Sequence, residues 1–322
     1  MFPLVEPFAS GLLPVGDGNE IYWETSGNPG GTPVVHLHGG PGSGIQGGYR
    51  GRQDPADHLI VGFDQRGCGR SLPSVGELAG SPALEHSLAT NTTQASIDDM
   101  ERLRAHLGVD AWIVAGISWG TTLALSYAQA HPERVLALVL AAVTITSTPE
   151  VAWLTEDMRR IFPEEWDVFA GAVPREEGER TVDAYARALR SPDAAFRASA
   201  ARAWCTWEDV HVSLATDGAP NPRYADPAFR QTFATLVTHY WSHAGFGGDR
   251  ILERMDRLAG IPGRLIHGRL DISSPLETAW RLHRAWPASE LVVVESEGHG
   301  GPTMIEHLSD ALATLSKAIR RR

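Results

Sequence analysis

Ala111-Trp112-Ile113-Val114-Ala115 runs directly into Gly116-Ile117-Ser118-Trp119-Gly120, and that segment into an Ala/Leu-rich stretch over 121–129. The first five residues read as a short buried strand and the last nine as a helix. Between them stands G-x-S-x-G, a motif whose chemistry depends on that context. A strand that turns at once into a helix leaves no room for side chains at the two glycines. Ser118 then stands at the top of a sheet, where backbone N–H groups near a helix N-terminus face any negative charge developing beside it. The bland alternative is a tight helix entry with Ser118 as its N-cap. The flanking pattern favours a nucleophile.

Working outward, Val34-Val35-His36-Leu37, Leu59-Ile60-Val61-Gly62-Phe63 and the apolar run 135–143 are further strand candidates. A helix is expected over 93–107, where Ile97, Met100, Leu103 and Leu107 recur at helical spacing. Strands alternating with helices imply a mostly parallel sheet covered on both faces. From 144 to about 250 the strand runs nearly vanish, and helical patterns appear over 149–159, 181–190 and 193–210. The alternation returns at Arg264-Leu265-Ile266-His267 and Leu291-Val292-Val293-Val294, and an amphipathic helix over 303–319 follows. The expectation is an α/β core domain made of 1–143 and 251–322. It is interrupted by a helical cap domain, 144–250, placed over the strand ends where ligands bind.

A nucleophilic serine needs a base and an acid, in the chain order Ser, acid, His. Asp271 stands just beyond the strand 264–267, and His299 just beyond 291–294. His299 would take the serine proton and Asp271 would hold the imidazole. A single histidine among 13 is weak evidence, and either residue alone reads as a turn or loop residue. Order and strand-end placement together carry the assignment. His38-Gly39-Gly40-Pro41-Gly42 follows an early strand, where a loop supplies the second oxyanion donor. Gly40 N–H and Trp119 N–H are the expected pair.

Two rival motifs overlap this loop. Gly42-Ser43-Gly44-Ile45-Gln46-Gly47 matches G-x-G-x-x-G, and Asp64 lies at a plausible distance for a ribose. That motif must open a helix, and residues 46–58, with Gly47, Gly48, Gly51 and Pro55, lack helical periodicity. His36-x-His38 places two imidazoles on one strand face, a possible metal pair, but no neighbouring carboxylate or cysteine cluster completes it. A buried hydrogen-bonded His36 and a loop-orienting His38 are the expectation. No cofactor or metal is expected.

The 322 residues suffice for one large domain or two modest ones. A 43% hydrophobic and 21% charged composition excludes a disordered chain. With 28 basic and 39 acidic residues the net charge is −11, which disfavours nucleic acid or an anionic membrane as partner. The one basic cluster, Arg320-Arg321-Arg322, reads as a solvated tail. Two cysteines, Cys68 and Cys205, make no disulfide framework. The longest apolar run falls short of the roughly 18 residues that span a membrane. No Lys or Arg precedes Arg50, so a signal peptide is not expected. The expected location is the cytoplasm.

Beyond single motifs, the sequence resembles the proline iminopeptidase (prolyl aminopeptidase) family of α/β-hydrolase serine peptidases. The resemblance is carried by Ser26-Gly27-Asn28-Pro29, His38-Gly39-Gly40-Pro41-Gly42, Asp64-Gln65-Arg66-Gly67-Cys68-Gly69-Arg70-Ser71, Asn91-Thr92-Thr93, Ser118-Trp119-Gly120, Tyr127-Ala128-Gln129, Trp204 with Trp207-Glu208, and His267-Gly268-Arg269. It implies the α/β-hydrolase fold with a helical cap, and removal of an N-terminal residue, usually proline, from short peptides. It also implies that cap carboxylates read the substrate's free amino group, one of them Glu208 beside Trp207. Taken alone, Glu208 would read as a solvated helix residue.

The chain departs from the family pattern at two places. A second amino-binding glutamate falls on Val237, in Val237-Thr238-His239-Tyr240-Trp241. Losing that carboxylate removes a charge-assisted contact of about 1.5–3 kcal/mol. An aromatic expected after the strand 135–143 is replaced in Ala141-Ala142-Val143-Thr144. The expected substrate-binding set is therefore Glu208, Trp207, Tyr240, Val237 and Thr144. The expected reaction is serine-dependent removal of an N-terminal residue from a small peptide or amino-acid amide. Val237 and Thr144 support an alternative, another ester or amide hydrolase or acyl transferase on the same frame. A non-catalytic small-molecule receptor would not need Ser118, Asp271 and His299 together. A metal-dependent amidohydrolase would rest on His36 and His38 alone.

Overall fold

In the computed structural model, which describes residues 1–212, 214 and 219–321, the sheet is built from short β-branched runs. Its strands are β1 (Ala9–Gly16), β2 (Asn19–Gly27), β3 (Thr32–Leu37), β4 (His58–Phe63), β5 (Trp112–Ile117), β6 (Val135–Ala141), β7 (Gly263–Gly268) and β8 (Ser289–Val294). They lie in the order β1-β2-β4-β3-β5-β6-β7-β8. β1–β2 and β2–β4 are antiparallel, and every other pair is parallel.

Successive residues of a strand face opposite sides, and here both sides are covered. Val35, Val114, Leu138 and Leu265 pack on one face with Leu123, Leu282 and Trp286. Val34, Ile113, Val139 and Ile266 pack on the other with Leu308 and Leu312. The covering helices of the first face include α2 (Thr93–His106), α3 (Trp119–Ala130) and α9 (Glu277–Ala285). α10 (Pro302–Arg320) covers the second. Its last residue, Arg320, pairs with Asp57 at 3.0 Å, and Arg322 lies outside the described residues. A short helix α1 (Ala83–Ala89) precedes α2.

Between β6 and β7 come α4 (Thr148–Thr155), α5 (Pro163–Gly171), α6 (Thr181–Ala188), α7 (Ala194–Val212) and α8 (Pro227–Ser242). They enclose their own aromatic cluster, in which Phe169 stacks on Tyr185 and on Trp207. α7 fills the helix expected over 193–210, whereas α5 and α8 lay outside the sequence expectation. The Asp226 side chain caps the start of α8 by accepting from Ala228 N–H, and Pro227 sits in its first turn.

The β1–β2 hairpin lay outside the sequence expectation. β1 carries Gly11 and Pro14 and exposes one face, so its pattern is diluted. β2 buries Glu24, which accepts from Tyr49 Oη at 2.8 Å and Tyr22 Oη at 3.1 Å and pairs with Arg70 at 3.2 Å. Tyr49 and Arg70 lie too far off in sequence to give a local signal.

The sheet and α3 meet so closely that a Cβ at Gly120 would collide with the Leu37 carbonyl oxygen, and one at Gly116 with that of Gly120. Both obstacles are backbone and cannot rotate away. Gly120→Ala is expected to destabilise the fold by about 1–3 kcal/mol. A urea midpoint equal to wild type would show that the strand–helix junction has slack.

Candidate active site

The elbow begins with backbone strain. Ser118 has φ 56° and ψ −125°, in the positive-φ region that non-glycine residues seldom occupy. Its N–H donates to the Ala141 carbonyl at 3.0 Å, tying the turn to β6. Its Oγ lies 2.9 Å from His299 Nε2. His299 Nδ1 in turn lies 2.9 Å from Asp271 Oδ2 and 3.1 Å from Oδ1. Ser118 follows β5, Asp271 follows β7 and His299 follows β8, so three strand ends bring them together.

A buried carboxylate must be satisfied to stay charged. Ser274 N–H donates to Asp271 Oδ1 at 2.9 Å and the Ser274 hydroxyl to Oδ2 at 3.1 Å. Burial alone would raise the Asp271 carboxyl, but His299, these bonds and nearby His267 hold it below the usual range. His267 Nδ1 accepts from Val143 N–H at 3.0 Å, so Nε2 carries the hydrogen and donates to the Ser274 carbonyl at 2.7 Å. The His299 imidazole shows the reverse balance. Desolvation opposes its charging, but Asp271 outweighs that and Glu208 adds to it, so the group is raised. The loop is fixed beside it by Glu297, whose carboxylate accepts from Thr303 N–H and Met304 N–H at 2.7 and 2.8 Å at the start of α10.

The Gly-rich loop lies against the elbow, with Gly39 so close that a Cβ there would stand 3.2 Å from Ser118 Cβ. Gly40 and Trp119 both line the cavity in front of Ser118. Among the described residues, neither backbone N–H donates to a protein acceptor. Trp119 opens α3, where first-turn N–H groups have no helical partner. Gln65 joins the two segments: its Nε2 donates to the His38 carbonyl at 3.2 Å, and its Oε1 accepts from the Trp119 indole at 2.9 Å.

The rival motifs are used structurally. Residues 47–52 form a 3-10 turn, not an α-helix, and Asp64 accepts from Ile45 N–H and from Arg70. His36 Nε2 meets Gln53 Oε1 at 2.9 Å, and His38 Nε2 accepts from Gln65 N–H at 3.1 Å.

Of the expected substrate-binding residues, Glu208 and Thr144 line the cavity and Trp207, Tyr240 and Val237 do not. Trp207 is buried, stacked on Phe169, with its indole N–H given to the Leu154 carbonyl at 3.0 Å. Tyr240 donates to Asn91 Oδ1 at 2.7 Å and sets its ring edgewise on Trp119. Both are held behind the wall by the polar handle of their rings. Val237 is fully buried, although Phe233 and Trp241, one turn to either side of it on α8, reach the cavity. The valine is too short to follow them.

Two carboxylates stand in the cavity wall, and they differ. Glu150 accepts from Thr144 Oγ1, Ser147 N–H and Thr278 Oγ1, and its bonding is spent on the protein. Glu208, on α7, is buried, and its Oε1 has no hydrogen-bond partner. Burial pushes its carboxyl up to about 7, against the pull of His299. His211, one helical turn on, also lines the cavity, and sequence reasoning passed over it. The available signal was the i, i+3 spacing of Glu208 and His211 on one helix face.

Comparison with known proteins agrees with this architecture. The family defined by the alpha/beta hydrolase fold matches residues 32–301, so the chain is an α/β hydrolase. It is 46% identical over 309 residues to "Probable proline iminopeptidase" of Streptomyces coelicolor, covering 94% of this chain and 93% of that one. It is 41% identical over 302 residues to "Proline iminopeptidase" of Xylella fastidiosa strain Temecula1, covering 93% of each. The chain belongs to the proline iminopeptidase family of α/β hydrolases. The solved structure of proline iminopeptidase from Mycobacterium smegmatis has the same fold, with a TM-score of 0.63 at 20% identity over 97% of this chain and 98% of that one.

The electrostatics of the site are open to direct measurement. Replacing Asp271 by Asn removes the charge that raises His299, so the His299 pKa should fall relative to wild type. NMR titration of the imidazole protons reads this, and an unmoved midpoint would refute the Asp271 contribution.

Proposed function

We propose that this protein is a serine aminopeptidase that removes an N-terminal prolyl residue from short peptides or amino-acid amides. One observation carries the reading: a buried carboxylate, Glu208, whose Oε1 has no hydrogen-bond partner, shares a cavity with Ser118 and His299. A buried carboxylate without a donor is costly, and a substrate ammonium supplies the missing donor.

Ser118 Oγ attacks the prolyl carbonyl carbon as His299 Nε2 takes its proton. The oxyanion of the tetrahedral intermediate is held by Gly40 N–H and Trp119 N–H. His299 then protonates the leaving amine as the C–N bond breaks. Water, deprotonated by His299, cleaves the acyl-enzyme and releases proline. Asp271 keeps the imidazole oriented throughout. Residues 144–250 act as a cap on the core formed by 1–143 and 251–322, supplying Thr144, Glu208 and the aromatic wall. The protein works in the cytoplasm, a reducing compartment that suits two free, buried cysteines. Among the described residues no helix is long and apolar enough to cross a membrane.

Val237 favours a second reading, a related acyl hydrolase that does not require an amino group, because the α8 wall offers no carboxylate there. The two are separated by cleavage of Pro-p-nitroanilide beside p-nitrophenyl acetate. Ser118→Ala should abolish both. Glu208→Gln should reduce kcat/KM for the prolyl anilide by roughly ten- to a hundredfold, the scale of a charge-assisted hydrogen bond, and spare the ester. Equal loss on both substrates would favour the second reading.

The pH profile gives an independent check. Glu208 binds an ammonium only when ionised, so kcat/KM for the prolyl anilide should fall as pH drops through about 7. In Glu208→Gln this contribution disappears, leaving only the acid limb due to His299, which ester cleavage also reports. An identical acid limb for anilide and ester in wild type would count against Glu208 as the amine site.

A further inference from the structure

A prolyl ammonium carries two N–H donors, and in a closed cavity each needs an acceptor. The Glu208 carboxylate meets one of them. α8 presents only Phe233 and Trp241 to the cavity, and Glu150 is already occupied. The neighbouring face of α7 supplies another polar atom.

His211 is 3% exposed and lines the same cavity. Its Nδ1 lies 2.8 Å from Ser273 Oγ, and the Ser273 hydroxyl donates its one hydrogen to the His211 carbonyl at 3.1 Å. With the hydroxyl donating to that carbonyl, it accepts at Nδ1 and Nδ1 carries the ring hydrogen. That leaves Nε2 as a bare acceptor, and Nε2 has no hydrogen-bond partner. It stands 3.8 Å from Glu208 Oε2. Two acceptors that close can both reach one nitrogen at the usual separation of about 2.9 Å. Burial, with His299 adding to it, holds the imidazole pKa down at about 3, so the ring stays neutral and retains its lone pair.

We propose that His211 Nε2 is the second acceptor for the substrate's amino group, so that Glu208 and His211 together clamp its two N–H donors. The inference rests on the aminopeptidase reading above. It makes His211 a specificity residue: it touches the amine and takes no part in proton transfer at Ser118. The clamp also explains how a neutral ring and one carboxylate can serve an ammonium group with little like-charge repulsion in the wall.

The test compares His211→Phe, which removes the acceptor, with His211→Gln, which keeps one, and with Glu208→Gln. Each is assayed on Pro-p-nitroanilide, on its N-methylprolyl analogue, which has one N–H when protonated, and on p-nitrophenyl acetate, with circular dichroism melts as the folding control. His211→Phe should raise KM for the prolyl anilide on the order of tenfold with a smaller change in kcat. It should add little further loss on the N-methylprolyl substrate and leave the ester within about twofold. His211→Gln should recover part of the prolyl KM, and it carries the test if the phenylalanine variant fails to fold. An equal loss on prolyl, N-methylprolyl and ester substrates, or no loss in either variant, overturns the clamp. If Glu208→Gln abolishes prolyl selectivity and the His211 variants do not, only the clamp fails. If Glu208→Gln has no selective effect, the aminopeptidase reading beneath it fails.

Discussion

The site depends on one strained residue. Ser118 is held at φ 56°, a conformation that costs on the order of 1–3 kcal/mol and persists only where its surroundings over-determine it. They do so from three directions. The Ser118 N–H is bonded to β6, and Gly116 and Gly120 admit no Cβ between β3, β5 and α3. Gln65 ties the Trp119 side chain to the loop at His38. The turn places Ser118 and Trp119 at the cavity, and the Trp119 N–H that opens α3 has no protein acceptor among the described residues. The proposed nucleophile and oxyanion donor at Trp119 are thus consequences of one turn.

The same economy appears on the acid and base side. Asp271 and His299 sit on loops, which are ordinarily the mobile part of a fold. Here each loop is tied down: Ser274 braces Asp271 within the acid loop, His267 on β7 bonds to that loop and to Val143 just past β6, and Glu297 bonds to the first turn of α10. The polar residues that do this are buried, and their cost is offset because their bonds are met within the protein.

Much of this was legible in the sequence, for identifiable reasons. β3, β4, β5 and β6 are buried on both faces and read as near-continuous apolar runs, and β7 and β8 carry shorter ones. The triad is legible because a parallel sheet puts functional groups at strand ends, so Ser118, Asp271 and His299 declare themselves by position. The β1–β2 hairpin was hidden because its exposed face and the buried Glu24 break the pattern. Trp207, Tyr240 and Val237 were misplaced for a different reason: a motif says which residues share a segment, not which side of a helix they occupy. α7 turns Glu208 and His211 inward and spends Trp207 on the Leu154 carbonyl. Ser274 and His267 act through contacts made only after β7 and β8 are side by side.

The contrast between the two wall carboxylates shows why satisfaction, and not charge alone, marks a binding group. Glu150 and Glu208 have the same chemistry and line the same cavity. The Glu150 oxygens are saturated by its own helix start and by Thr278, so a ligand amine would have to displace bonds already made. Glu208 Oε1 and His211 Nε2 are buried without a hydrogen-bond partner, an arrangement that lowers stability. Keeping these two atoms three residues apart on one helix, in the cavity that Ser118 lines, leaves bonding capacity unused where a ligand can complete it. In the proposed reading, that unused capacity is what the two N–H donors of the substrate amine complete.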